Sequence, residues 1–185
     1  MQHIDGEVIV VDNSSGDGSV AYLNPMFPQV QFIELPENVG FAKANNIALL
    51  QAKGDFILFL NPDTLVAEDA FETSLKVFEQ HQNVGALGIK MLDGSGHFLK
   101  ESKRGFPSPR TSFYKLTGLA TLFPHSAHFA RYYLGHLSND KDCEVEVLAG
   151  AYMMLPKSLL NKIGGFDETF FMYGEDIDLS YRITK

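Results

Sequence analysis

An α/β fold, with a mostly parallel sheet flanked by helices, is what this sequence predicts, and three observations predict it. Short apolar runs alternate with stretches of helical character, as in Glu7–Val11, Val30–Leu35, Phe41–Gln51, Phe56–Leu60 and Ala67–Gln82. Two of those runs stop at acid-bearing turns, Asp12-Asn13-Ser14-Ser15 and Asn61-Pro62-Asp63-Thr64. The carboxyl ends of strands in an open α/β sheet are where ligands bind. Finally, 185 residues with 45% hydrophobic and 21% charged side chains suffice for one domain with a sizeable core.

The elements follow in order. Glu7–Val11 is β-branched and closes on a loop rich in Asp, Asn, Ser and Gly, so it reads as a buried strand. A short helix near Ser19 is cut off by Asn24-Pro25. Val30–Leu35 reads as a strand, and Pro36–Gly40 as a turn before the helix Phe41–Gln51. Gly54-Asp55 leads into Phe56–Leu60, a continuous apolar run that reads as a strand buried on both faces. Pro62 lacks an amide hydrogen and ends it. Ala67–Gln82 is a helix with Phe71, Leu75 and Phe78 on one face and Glu68, Asp69 and Glu72 near its positive end. Val84–Ile89 reads as a strand of small residues, and Asp93–Gly96 as a hairpin turn. Prolines 107 and 109 predict an irregular opening to a helix at about 111–122. Glu144–Leu155 reads as a strand pair, or one strand broken at Gly150; Met153-Met154 and the Phe stripes read as core. A helix from Pro156 to Ile163 ends at Gly164-Gly165, and a last helix opens at Glu175.

Composition narrows the function classes. A formal net charge of −8 argues against a binder of nucleic acid that relies on neutralising phosphates. Cys143 is the sole cysteine, so no disulfide forms within the chain, which fits a reducing, cytoplasmic setting. The first residues lack the charged and apolar regions of a secretory signal, and no apolar run reaches a membrane-spanning length. The six histidines show no ligand-like spacing and read as surface or satisfied side chains.

Three acidic positions adjoin apolar elements: Asp12, Asp63 and the pair Glu175-Asp176. Converging carboxylates repel one another unless a cation or protons intervene, and hard oxygens suit Mg or Mn. Each also has a bland reading. Asp12-Asn13-Ser14 alone is a turn. Asn38 serves equally as a cap for the helix at 41–51 or as a ligand contact. Asp63 fits an N-cap or turn residue, with its strand-end position favouring metal. Among the acids of the last helix, Asp178 reads as a complement to the helix dipole and Asp176 as the chemical group. The basic and aromatic stretch 100–123 reads as a solvated face, or as a patch approaching a membrane at its inner surface.

Four motifs in order resemble the inverting glycosyltransferases of family 2, whose fold is GT-A. They are Val11-Asp12-Asn13-Ser14-Ser15-Gly16-Asp17-Gly18-Ser19, then Asn38-Val39-Gly40-Phe41 through Asn46, then Asn61-Pro62-Asp63, and finally Gly164–Glu168 followed by Gly174-Glu175-Asp176. The likeness runs from about residue 7 to 183, and Glu37–Asn46, Phe59–Thr64 and Arg104–Pro109 look most like bacterial rhamnosyltransferase-type members. The resemblance implies a nucleoside-diphosphate sugar as donor and a hydroxyl of a glycan or lipid-linked glycan as acceptor, in polysaccharide or cell-wall biosynthesis. It implies that Asp12 and Asn13 contact the nucleotide, that Asn38 and Gly40 shape its pocket, and that Asn61 lies beside it. Asp63 would ligate a divalent metal, Asp176 would be the general base, and Glu175 its neighbour. One domain is expected over 1–185, with a nucleotide-binding part at about 1–92 and an acceptor-side part at about 93–185.

The chain departs from the family pattern in three places. The usual first strand is absent, the chain stops inside the helix after the acidic pair, and the first acid of the metal motif is Asn61. The fold is therefore expected to be incomplete at both ends, with an exposed sheet edge open to pairing with another copy. A rival reading is a non-catalytic nucleotide-sugar-binding fragment. A nucleotidyltransferase ranks last, because no early Gly-rich loop with Arg and Lys is present.

Overall fold

The computed structural model describes residues 4–185. Strand β1 (Ile9–Asp12) leads through a one-turn helix α1 (Ser19–Leu23) to β2 (Gln31–Glu34). Helix α2 (Phe41–Gln51), strand β3 (Phe56–Leu60) and helix α3 (Ala70–Gln80) follow. Two short helices, α4 (Pro109–Leu116) and α5 (Leu119–Leu122), lie in the middle of the chain. Strand β4 (Tyr152–Pro156) runs directly into α6 (Lys157–Ile163), and α7 (Glu175–Ile183) closes the fold.

The strands form two pairs. β1 and β2 are parallel with Asp12 opposite Glu34, the pairing that a crossover through α1 requires. β3 and β4 are antiparallel, with Leu60 opposite Tyr152 and Phe56 opposite Pro156. The expected α/β architecture is present, with its described strands in one parallel and one antiparallel pair. The antiparallel partner of β3 comes from almost a hundred residues further along the chain, so local alternation could not reveal it.

Several expected elements are redrawn. β3 is buried on one face rather than both: Ile57 and Phe59 are buried, whereas Phe56 and Leu60 are exposed. Residues 84–89 form no strand; Leu87 makes a single antiparallel bridge to Met154, with paired backbone hydrogen bonds of 2.8 Å. Of the stretch 144–155 only the part after Gly150 is a strand, and Val147 bridges Arg104 instead. The helix expected at 111–122 is two helices, broken at Gly118 (φ 77°). Pro109 opens the first of them at a position where its missing amide hydrogen is harmless, behind a Ser108–Thr111 capping box.

The core joins both halves of the chain. Ala42, Ile57, Phe59, Met153, Leu155, Leu160, Phe166 and Leu179 make one buried cluster. Behind it, the buried Ser74 of α3 shares a 2.9 Å hydrogen bond with the hydroxyl of the buried Tyr152. Arg182 of α7 donates to the carbonyls of Ile163 (2.8 Å) and Gly165 (2.7 Å), so it satisfies the end of α6, and Asp178 holds it at 2.7 Å. Asp178 thus has a structural partner in Arg182.

Candidate active site

Asp12 ends β1 and its Oδ1 accepts from the Ser15 amide at 3.2 Å, closing a tight loop. Ser14 in that loop sits at φ 64°, a conformation L residues rarely hold. The next side chain ties this loop to the second motif. Asn13 Nδ2 donates to Asn38 Oδ1 at 2.9 Å and to the Gly40 carbonyl at 3.3 Å, and its Oδ1 accepts from the Val39 amide at 2.9 Å. Asn38 Oδ1 also accepts from the Gly40 amide at 3.0 Å. Asn38 therefore braces the loop rather than capping α2, whose N-cap is Gly40.

Gly40 must be glycine. Its φ of 87° and ψ of 167° fall in a region only glycine occupies freely, and an added Cβ would lie 2.6 Å from the Phe171 carbonyl oxygen. That same oxygen accepts from the Phe41 amide at 2.8 Å, which fastens the 38–41 loop to the 166–174 loop. Asn46, one turn further along α2, grips the backbone of Phe166 on both sides: Nδ2 donates to its carbonyl at 2.8 Å and Oδ1 accepts from its amide at 2.9 Å. The glycine-rich fourth motif is thereby docked on the helix that follows the second.

At the end of β3 the Asn61 amide donates to the Ala151 carbonyl at 3.1 Å, and the Thr64 amide donates to the Asn61 carbonyl at 3.2 Å. This turn leaves Asp63 exposed, and among the described residues its carboxylate has no hydrogen-bond or ion-pair partner. No group of three or more His, Cys, Asp or Glu side chains gathers around a point among the described residues. The donor set that remains is one free carboxylate with the Asn61 amide nearby. That set suits a hard cation which takes most of its shell from water and substrate phosphates, as Mg characteristically does.

The acid pair sits at the start of α7, behind Gly174 (φ 102°). Asp176 forms an ion pair with Arg104, both side chains about 15% exposed (14% and 15%). Arg104 also donates to the Leu148 carbonyl at 3.1 Å. Burial disfavours its charge, yet Asp176 and Tyr132 outweigh that, and the guanidinium pKa is raised above its usual value. The other oxygen of Asp176 accepts from the Ile177 amide at 2.8 Å. Glu175 is buried, and its Oε2 has no partner among the described residues. Burial raises its carboxyl above the ordinary range.

These pieces meet near Gly150. A Cβ built there would lie 3.8 Å from Asp176 Cβ and 3.8 Å from the Phe41 ring. Ala151, its neighbour, is the residue that accepts from Asn61. Gly40, Asn61 and Asp176 are thus brought to one face by residues 149–151, with Asp12 and Asn13 joined through Asn38. Beside them Phe171, Met172 and Tyr173 are exposed by 57%, 53% and 83%. Sequence reasoning missed Arg104, which lies in the stretch read as a solvated face. Its only signal was membership of the Arg104–Pro109 likeness.

The model of glycosyl transferase family 2 matches residues 2–164. An N-acetylglucosaminyl-diphospho-decaprenol L-rhamnosyltransferase of Mycobacterium tuberculosis is 27% identical over 96% of this chain and 61% of its own length. The rhamnosyltransferase WbbL of Escherichia coli is 30% identical over 78% of this chain and 54% of its own length. This chain therefore spans between about half and three-fifths of those relatives. Among solved structures, the mannosyltransferase PcManGT of Pyrobaculum calidifontis, in complex with GDP-Man and Mn2+, superposes with a TM-score of 0.56 at 22% identity, covering 94% of this chain and 41% of that one. At that identity the likeness speaks for the fold alone, which is GT-A.

Proposed function

Because the chain belongs to glycosyl transferase family 2, we propose that it transfers a sugar, with inversion, from a nucleoside-diphosphate donor to a hydroxyl of a lipid-linked glycan. The observation that carries this reading is the convergence of four sequence-distant motifs on the face around Gly150, linked by the Asn13–Asn38–Gly40 hydrogen bonds and the Phe41–Phe171 backbone bond. The donor part comprises about residues 1–92, where Asp12, Asn13, Asn38, Gly40 and Asn61 frame the nucleotide. The acceptor part comprises about residues 93–185. The Mycobacterium tuberculosis relative, whose name gives an N-acetylglucosaminyl-diphospho-decaprenol substrate, supports the acceptor class.

Asp63 would hold the divalent cation, Mg or Mn, which when bound supplies neutralisation of the diphosphate leaving group. Asp176 takes the proton of the acceptor hydroxyl as its oxygen bonds to the anomeric carbon, from the face opposite the donor bond. The bond from that carbon to the diphosphate oxygen breaks, its electrons leaving with the nucleoside diphosphate. Arg104 orients the carboxylate through one oxygen, and each oxygen keeps a further lone pair to accept the proton. Glu175 lies beside the base, and burial raises its carboxyl pKa, which disfavours a second negative charge there. The exposed Phe171 and Tyr173 rings offer apolar faces to an acceptor sugar.

An inversion of ordinary burial in the middle segment supports membrane contact. Phe113 and Leu116 of α4, Leu122 of α5 and Phe123 just after it are exposed by 57%, 87%, 70% and 46%, while Lys103 is buried. Such a face lies comfortably at the boundary of a bilayer. Among the described residues no helix is long and apolar enough to cross a membrane.

A thermal-shift series with UDP, GDP and dTDP, each with and without Mn, tests the donor half. One nucleotide is expected to raise the melting temperature only when Mn is present, and Asp63→Asn is expected to remove that metal dependence. No shift with any nucleotide would defeat both the transferase and the nucleotide-binding-fragment readings.

A further inference from the structure

A cavity of about 490 Å³ lies between the 98–103 stretch, α5 and the 130–139 stretch, a size typical of small-ligand sites. Its wall carries Lys100, Lys103, His125 and His136 and no Asp or Glu. Lys103 is 6% exposed, and its ammonium donates to the carbonyls of Leu137 and Ser138. That leaves one of three N–H groups without a protein acceptor. Lys103 stands 5.6 Å from the centre of the Phe98 ring, and Lys100 stands 5.8 Å from that of Tyr133. Among the described residues neither lysine has a carboxylate within ion-pair distance. A buried ammonium held only by carbonyl dipoles lacks a counter-charge, and such charges in folded proteins are normally paired.

Position selects the counter-charge. Ala120 and Pro124 form part of the wall, so the cavity opens beside the exposed Leu122–Phe123 face. Lys103 has extended backbone (φ −140°, ψ 123°), which sends successive side chains to opposite sides. Lys103 therefore faces the cavity and Arg104 faces Asp176.

We propose that this cavity binds the phosphate or diphosphate of an amphiphilic, lipid-linked acceptor, with the apolar chain leaving across Leu122 and Phe123. The proposal deepens the acceptor class inferred above and rests on it. It also accounts for the middle segment, in which Lys103 fixes the charged head one residue away from the arginine that orients the base.

Isothermal titration in metal-free buffer tests it with three probes: farnesyl diphosphate, inorganic pyrophosphate and farnesol. Farnesyl diphosphate is expected to bind with one-to-one stoichiometry, at least about tenfold more tightly than either other probe, since only it offers both charge and apolar chain. Lys103→Met should weaken it by about tenfold or more, the loss of one charge-assisted contact. Lys100→Met, at an exposed position, should weaken it a few-fold and keeps the test valid if Lys103→Met does not fold. Asp63→Asn should leave it unchanged, which separates this cavity from the donor site. Equal binding of pyrophosphate, equal binding of farnesol, indifference to both lysine substitutions, or no binding would each overturn the proposal. A chain that binds farnesyl diphosphate in this way but turns over no nucleotide sugar would overturn the transferase reading and leave the cavity standing. Turnover without such binding would do the reverse.

Discussion

The two sides of the site are held by different physics. On the side proposed for the nucleotide, Asn13 and Asn38 clamp neighbouring loops with neutral amide hydrogen bonds, most of them at 2.9–3.0 Å, and Gly40 lets two backbones touch. On the acid side, Asp176 is held by a guanidinium 72 residues away in sequence, in a largely buried ion pair. The first arrangement is geometric and indifferent to salt and to pH near neutrality. The second is electrostatic, so its effect depends on the solvent excluded around it. A transferase needs both: a fixed cradle for the part of the substrate that does not react, and an adjustable charge where a proton moves.

Substitutions can break either side separately. Gly40→Ala attacks the geometric side at its tightest point, where an unfavourable φ adds to a Cβ contact of 2.6 Å with a carbonyl oxygen. The expected destabilisation is about 3 kcal/mol in denaturant unfolding, with nucleotide binding lost alongside. Arg104→Met attacks the electrostatic side. Removing one partner of a fully buried pair costs about 3–5 kcal/mol; for this partly exposed pair about 2 kcal/mol is expected, with transfer falling more than nucleotide affinity. Ser74→Ala, behind both sides, strands the buried Tyr152 hydroxyl and should cost about 1 kcal/mol with little change in either activity.

The smallest effect sharpens the comparison through pH. Glu175 has its carboxyl pKa raised above 4.5 by burial. A folded-state value above the unfolded one means that the folded chain holds this proton more tightly. Its contribution to stability is then fully present below the unfolded pKa and is lost as pH rises through the folded pKa. Glu175→Gln removes that loss. Melting temperatures across pH 4 to 8 should show the variant gaining on the parent protein as pH rises, with the two converging at the acid end.

How much of this was legible in the sequence follows the same division. Helix α2 falls on its expected residues, because a glycine turn starts it and the signals around it are local. Asp12 and Asp63 do stand at or just beyond strand ends, since Ser-rich loops and Pro62 are local stops too. What failed depended on partners far along the chain. The burial of β3 on both faces failed because only the face carrying Ile57 and Phe59 packs into the core, leaving Phe56 and Leu60 on the other face at the surface. The strand at 84–89 failed because Gly85 and Gly88 are crowded by Ile183 and Leu148, and glycine here serves close approach rather than a ladder. Arg104 and Lys103 were hidden because a basic stretch among aromatics ordinarily means a solvated surface. Here Lys103 and Arg104 turn inward while Leu116 and Leu122 stay exposed, a reversal that only packing reveals.

The central claim is that binding and chemistry sit on separable sides of one site, with Asp176 confined to the second. Measuring nucleotide affinity and nucleotide-sugar turnover side by side for the parent protein and Asp176→Asn tests it most directly. The variant should keep its nucleotide affinity within about twofold while turnover falls by about 10²–10⁴, the usual contribution of a general base. Turnover that survives Asp176→Asn would contradict the account, as would a loss of nucleotide affinity as large as the loss of turnover.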